Sequence, residues 1–147
     1  MDDKCRIILP NALKKQISPE AQDRFAILRG LDGCLLMFPF DSWLEFKKKF
    51  EGLEYLSGDD RNLLRNLRSG GAYVQMDSQN RLLLPKTLLD EIKIRRDVIL
   101  LALDDRIEIW DKDTYMNKIS VRPPNLEQLA EDYLAKKNRK EGSHGVS

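Results

Sequence analysis

Two arginines stand in matched surroundings. Arg6 closes Asp2-Asp3-Lys4-Cys5-Arg6 and is followed by Ile7-Ile8-Leu9-Pro10. Arg81 closes Asp77-Ser78-Gln79-Asn80-Arg81 and is followed by Leu82-Leu83-Leu84-Pro85. A guanidinium is planar and rich in donors, so it suits bidentate contact with phosphate or with O6 and N7 of guanine. Lys4 and Gln79 share the same turns and add an ammonium and an amide. A plainer use competes: each arginine follows an aspartate by four residues, so Asp2 with Arg6 and Asp77 with Arg81 can simply lock their own turns. The two uses are compatible, because a locked turn presents its remaining groups rigidly.

Other chemistry is poorly served. The single histidine, His144, lies near the C-terminus, and no nucleophile–base pair, phosphate-cradling glycine loop or dinucleotide fingerprint is present. Asp32, Asp104 and Asp105 fall where turns are expected, and aspartate is common there for conformational reasons. Cys5 and Cys34 are 29 residues apart with no Cys-x-x-Cys, so neither a structural metal nor a disulfide framework is expected. The sequence therefore points away from an enzyme, and no cofactor or metal is expected.

The elements that must position the arginines follow from the spacing. The intervals 77 − 2, 81 − 6 and 85 − 10 all equal 75, the mark of an internal repeat. Ile7-Ile8-Leu9 and Leu82-Leu83-Leu84 read as short buried strands. Pro10 and Pro85 then suit the first turn of a helix, with Leu13 and Ile17 on the buried face of one and Leu88, Leu89 and Ile92 on that of the other. Lys14 and Lys15 point elsewhere. A hairpin is expected around Leu31-Asp32-Gly33, and its counterpart around Asp104-Asp105. Here the interval is 72, so a three-residue deletion is expected between Ile92 and Val98. Residues 71–76 read as a strand ahead of Asp77, whereas nothing comparable stands before Asp2 in the given sequence; the first repeat thus reads as lacking one strand, or the true start lies upstream.

Ser42-x-x-Glu45 has the form of a capping box for a helix bearing Trp43, Phe46 and Phe50. A second helix is expected from about Asp59 to Arg68, with Gly70 as its stop and Arg61, Arg65 and Arg68 as a solvated stripe. A short helix is expected over 114–119. After Pro123-Pro124, Asn125 is expected to cap a helix carrying Leu126, Leu129, Tyr133 and Leu134, followed by a disordered tail from Gly142. The organisation is repeat one over 1–50, a helical linker over 51–70, repeat two over 71–119, and a C-terminal helix with tail over 120–147. The fold class is α+β, rich in strand.

Composition sets the remaining bounds. The chain has 147 residues, 41% of them hydrophobic and 33% charged, as in a soluble globular protein. No apolar run is long enough for a membrane span, and no leader-like segment opens the sequence, so a cytoplasmic location is expected. The net charge is only +1. A single copy therefore has little electrostatic hold on nucleic acid, and self-association is expected, with several copies sharing the work.

The doubled Asp-x-x-x-Arg, aliphatic run and proline resembles the MraZ family of bacterial transcriptional regulators. Arg29-Gly30-Leu31-Asp32-Gly33-Cys34-Leu35, Arg68-Ser69-Gly70-Gly71-Ala72 and Asp105-Arg106-Ile107-Glu108-Ile109-Trp110 are similar to that family too. The resemblance implies a tandem AbrB-like swapped-hairpin β-barrel, with short helices between the repeats and a C-terminal helix. It implies a cytoplasmic, nucleoid-associated repressor of the division and cell-wall gene cluster. It further implies a ring-like homo-oligomer on repeated elements of double-stranded promoter DNA. Arg81 and Arg6 would face the DNA with Lys4 and Gln79 beside them, while Asp2, Asp77, Asn80, Pro10 and Pro85 shape the turns. Where the family has glycine before the arginine, this chain has Cys5 and Asn80. A positive φ is expected at Asn80, which tolerates it, and is costlier at Cys5. A protein-interaction module is the other reading: an antitoxin-like AbrB barrel that uses the 125–140 helix to bind a partner protein.

Overall fold

In the computed structural model, residues 1–53, 56–68 and 71–144 are described. The expected helix stop at Gly70 and the last three residues of the tail lie outside them. Residues Met1–Tyr115 and Met116–Ser147 form two separate compact units.

The first unit is α+β, with two antiparallel sheets. β1 (Arg6–Ile8) pairs with β5 (Arg81–Leu83), and a five-stranded sheet has the order β4-β2-β3-β7-β6. Its strands are β2 (Arg24–Arg29), β3 (Leu35–Pro39), β4 (Ala72–Gln75), β6 (Val98–Leu103) and β7 (Arg106–Asp111). The β1/β5 register places Ile7 opposite Leu82, with Arg6 opposite Leu83 and Ile8 opposite Arg81. Ile7 and Leu82, the residues that face each other, are 75 apart in sequence. Between β3 and β7, Leu36 faces Glu108, and these are 72 apart. The strands are interlocked, since β4, which leads into the second arginine turn, pairs with β2, which follows the first.

Side-chain alternation along these strands builds the core. Ile7, Leu9, Phe25, Ile27, Leu35, Met37, Leu82, Leu84, Leu88, Leu89, Ile107 and Ile109 share one buried cluster, against which Val98 and Leu100 pack. On the other sheet face, Ala26, Leu28 and Phe38 meet Trp43. That residue belongs to α2 (Phe40–Lys48), and its Nε1 donates to the Tyr73 hydroxyl of β4 at 3.2 Å. The other helices among the described residues of this unit are α1 (Asn11–Lys14), a 3-10 turn (Pro19–Ala21), α3 (Gly58–Arg68), α4 (Lys86–Glu91) and α5 (Lys112–Thr114), the last running into a π-helical turn over Tyr115–Ile119.

Three expectations about this unit need correction. Pro10 and Pro85 sit at the N-cap positions of α1 and α4, one residue before the first turn; both are extended, which ends the strand and aims the chain into the helix. Ser42 caps nothing, because β3 runs through Pro39 directly into a helix that starts at Phe40. Glu45 instead accepts from Lys48 Nζ at 2.9 Å. The three-residue deletion is divided between two places. Phe25 and Ile27 of β2 occupy the core positions that Val98 and Leu100 of β6 occupy, an interval of 73, so two residues are lost before Val98. The third is lost in the hairpin: Gly30 N–H donates to the Cys34 carbonyl at 2.8 Å, leaving a three-residue turn that needs Gly33 at φ 88°, whereas Leu103 pairs directly with Arg106 around a two-residue turn.

The second unit consists of the end of the π-helical turn and α6 (Leu126–His144), so Gly142, Ser143 and His144 are helical where a disordered tail was expected. Among the described residues no helix is long and apolar enough to cross a membrane.

Candidate nucleic-acid interface

Each arginine turn is built by one carboxylate. Asp2 Oδ1 accepts from the amides of Lys4 and Arg6, both at 2.9 Å, and its Oδ2 accepts from Arg6 Nε at 2.8 Å. Asp77 does the same, taking Gln79 and Arg81 amides at 2.9 Å and Arg81 Nε at 2.7 Å. Backbone bonds repeat as well. Asp2 N–H donates to the Arg6 carbonyl and Asp77 N–H to the Arg81 carbonyl, each at 3.0 Å. The fourth residue of each turn is left-handed, Cys5 at φ 62° and Asn80 at φ 60°. A left-handed residue lets the chain reverse within five positions, so that the arginine begins a strand. The strands then clasp the turns: Leu9 N–H donates to the Asn80 carbonyl at 2.8 Å, and Leu84 N–H to the Cys5 carbonyl at 2.9 Å.

Electrostatics follow the hydrogen bonds. Donation from the Arg6 backbone amide holds the Asp2 carboxyl below its ordinary value, with the Arg6 side chain and the Lys4 amide adding to it. Asp77 is held low in the same way by the Arg81 amide. Both aspartates are thus firmly ionised, and each arginine is oriented by a bond at its Nε edge. The terminal guanidinium nitrogens of Arg6 and Arg81 make no hydrogen bond among the described residues, so the fork that suits phosphate or guanine is left to meet a ligand.

The two arginines come to one surface. In the β1/β5 ribbon Ile7 and Leu82 point into the core, so Arg6, Ile8, Arg81 and Leu83 share the outer face. Arg6 and Arg81 line the same groove, of 820 Å³, together with Gln79 and Ile8. Lys4 is exposed at the tip of its own turn. The structure thus brings Arg6, Arg81 and Gln79 together and places Lys4 on the far side of the first turn, beside a second groove of 520 Å³. One contact had no signal in the sequence. Lys14 Nζ donates to Asn80 Oδ1 at 2.8 Å, tying α1 to the other arginine's turn across 66 residues. A two-stranded ribbon of this kind is one of the shapes that the major groove of duplex DNA admits.

Fold and turns define a small α+β protein with two arginine-closed turns on an antiparallel ribbon. The sequence profile of the family described as "MraZ protein, putative antitoxin-like" matches residues 1–66 and 68–136. A transcriptional regulator MraZ of Christiangramia forsetii is 33% identical over 135 residues, covering 91% of this chain and 87% of that protein. Those of Desulforamulus reducens and Natranaerobius thermophilus are 31% and 30% identical over 134 residues, covering 91% of this chain in each case and 92% and 91% of the relatives. The chain belongs to the MraZ family.

Proposed function

We propose that this protein is a transcriptional regulator that binds duplex DNA through the β1/β5 ribbon. It acts as a repressor of the division and cell-wall gene cluster, on repeated operator elements, as a ring-like homo-oligomer in the cytoplasm at the nucleoid. The observation that carries the reading is the pair of arginines locked by Asp2 and Asp77 on one face. Curated relatives over nine-tenths of the chain carry the name transcriptional regulator. The family match in two stretches of similar length and the matched hydrogen bonds of the turns favour two AbrB-like repeats, over 1–50 and 71–119. In this reading Arg81 and Arg6 contact phosphate or guanine, with Lys4 and Gln79 as flanking contacts. A net charge of +1 makes multiple copies necessary for useful affinity.

A gel-shift titration on the DNA upstream of the protein's own gene cluster tests this, with shuffled DNA of equal length as control. Discrete complexes on the former at much lower protein concentration support it. Equal binding to both, or none, would overturn it. The second reading, an antitoxin-like module, has its own observation: Leu126, Leu129, Tyr133 and Leu134 of α6 are exposed, a face suited to a partner protein. Removal of residues 120–147 separates the two, since the DNA reading predicts retained operator discrimination.

A further inference from the structure

The two arginine turns differ in the residue that carries the left-handed step and in the helix residue that corresponds across the repeat. Cys5 and Asn80 are 75 apart, and so are Lys14 of α1 and Leu89 of α4. One combination is polar: Lys14 Nζ donates to Asn80 Oδ1 at 2.8 Å. The other is apolar: Leu89 is buried, and Cys5 packs against the cluster that holds it. The backbone of Asn80 is fully engaged. Its N–H donates to the Asp77 carbonyl at 3.0 Å, and its carbonyl accepts from Leu9 N–H at 2.8 Å. Lysine carries donors only, so its contact fixes which end of the carboxamide faces α1. The Nδ2 end, with two hydrogens, has no partner among the described residues, and Asn80 stands between Gln79 and Arg81. Cys5 offers no such pair of donors.

Resting on the DNA-binding reading of the ribbon, we propose that Asn80 is a specificity-determining residue and Lys14 its positioning residue. A free carboxamide offers an acceptor beside a donor and so matches adenine, whose N6 donates and whose N7 accepts. With Oδ1 held by the Lys14 ammonium, Asn80 presents donors alone. Its complement is an edge of acceptors, which guanine supplies in the major groove through O6 and N7. Arg81, one residue on, is likewise a donor-only group, so the second turn favours guanine and disfavours adenine at the base pair that Asn80 meets. The first turn carries Arg6 beside Cys5 and lacks this second reader. The two turns therefore read unequal elements of the operator, although their backbones match.

The test uses the full chain and operator duplexes carrying each base pair in turn at every position, with random duplex of equal length as reference. Asn80→Gly keeps the left-handed turn and removes the amide. It is expected to bind the operator about tenfold more weakly, to bind random duplex as the parent does, and to lose the preference for guanine at one base pair. Lys14→Met keeps an unbranched side chain on α1 and frees the amide to rotate. It is expected to raise adenine relative to guanine at that same base pair, a change that a merely structural tie would not produce. A Lys14→Met variant that loses melting temperature alone overturns the role given to Lys14. Equal weakening of Asn80→Gly on operator and random duplex puts the amide on phosphate and overturns the specificity. Parental operator binding by Asn80→Gly overturns the proposal outright. The DNA-binding reading survives that result if Arg81→Ala loses the operator, and fails with it if Arg81→Ala binds as the parent does.

Discussion

Between Asp2 and Arg6 the residue that turns the chain is Cys5; between Asp77 and Arg81 it is Asn80. Both lie within a few degrees of φ 60°, and the hydrogen bonds around them agree to 0.1 Å. The shared part is the aspartate, which collects three donors in each copy, and the strand pairing that clasps the turn. The left-handed residue adapts to that frame. Asn does so with little strain, whereas a cysteine side chain meets the following carbonyl. Support beneath the turns also differs. Leu88 and Leu89 anchor α4 in the core, while α1 has no fully buried residue and is held by half-buried Leu13 and the Lys14–Asn80 bond.

The largest effect tests whether the two turns depend on one ribbon. Leu82→Ala and Ile7→Ala each remove a buried side chain at the point where β1 and β5 face each other, and each should cost about 2–5 kcal/mol of unfolding free energy in urea titrations. Because the two side chains are opposite each other, the double variant should depart from the sum of the singles. Strict additivity would mean that the turns are held independently.

Backbone strain gives a smaller and opposite effect. Cys5→Gly relieves a left-handed non-glycine residue and should stabilise the protein by about 1 kcal/mol. Asn80→Gly should stay within about 0.5 kcal/mol of the parent, since Asn tolerates the region and the Lys14 contact is lost. A larger gain at position 80 than at position 5 would show that strain is not what separates the two turns.

The least disruptive perturbation is acid. Asp2 and Asp77 are held below 3.8 in the folded protein. With folded values below unfolded ones, their contribution is complete above 3.8 and is lost as pH falls through the folded values. Carboxyl carbon shifts should therefore titrate below 3.8 in both turns, with stability declining over the same window. A midpoint at or above 3.8 in either turn would break the equivalence.

How much could be read in advance follows the range of the interactions. The turns were legible because their bonds close within five residues, and Asn80 was assignable to positive φ from its chemistry and the family's glycine. Arg6 and Arg81 could be singled out, but their common face depends on the β1/β5 register, which no local pattern contains. Ser42 misled because the capping box is a local signal, while the start of α2 is set by β3 delivering Phe40 into the sheet's second face. The division of the deletion is not visible in the sequence, since a one-residue change in a hairpin leaves the apolar pattern on both strands intact. The spacing sets Lys14 off the buried face of its helix but does not reveal its bond to Asn80, a partner remote in sequence.

The central claim is that the locked arginines are the DNA-reading groups. Operator affinity at several salt concentrations and melting temperature, measured on the same Arg81→Ala and Arg6→Ala samples, test it most directly. Each variant should keep its fold and assembly and lose operator affinity. Loss of a phosphate contact would reduce the salt slope by about 0.9 per contact; loss of a guanine contact would weaken the operator more than random DNA by about 1–3 kcal/mol. Variants that remain folded and assembled yet bind the operator like the parent would contradict the claim, leaving Arg6 and Arg81 as locks of their own turns.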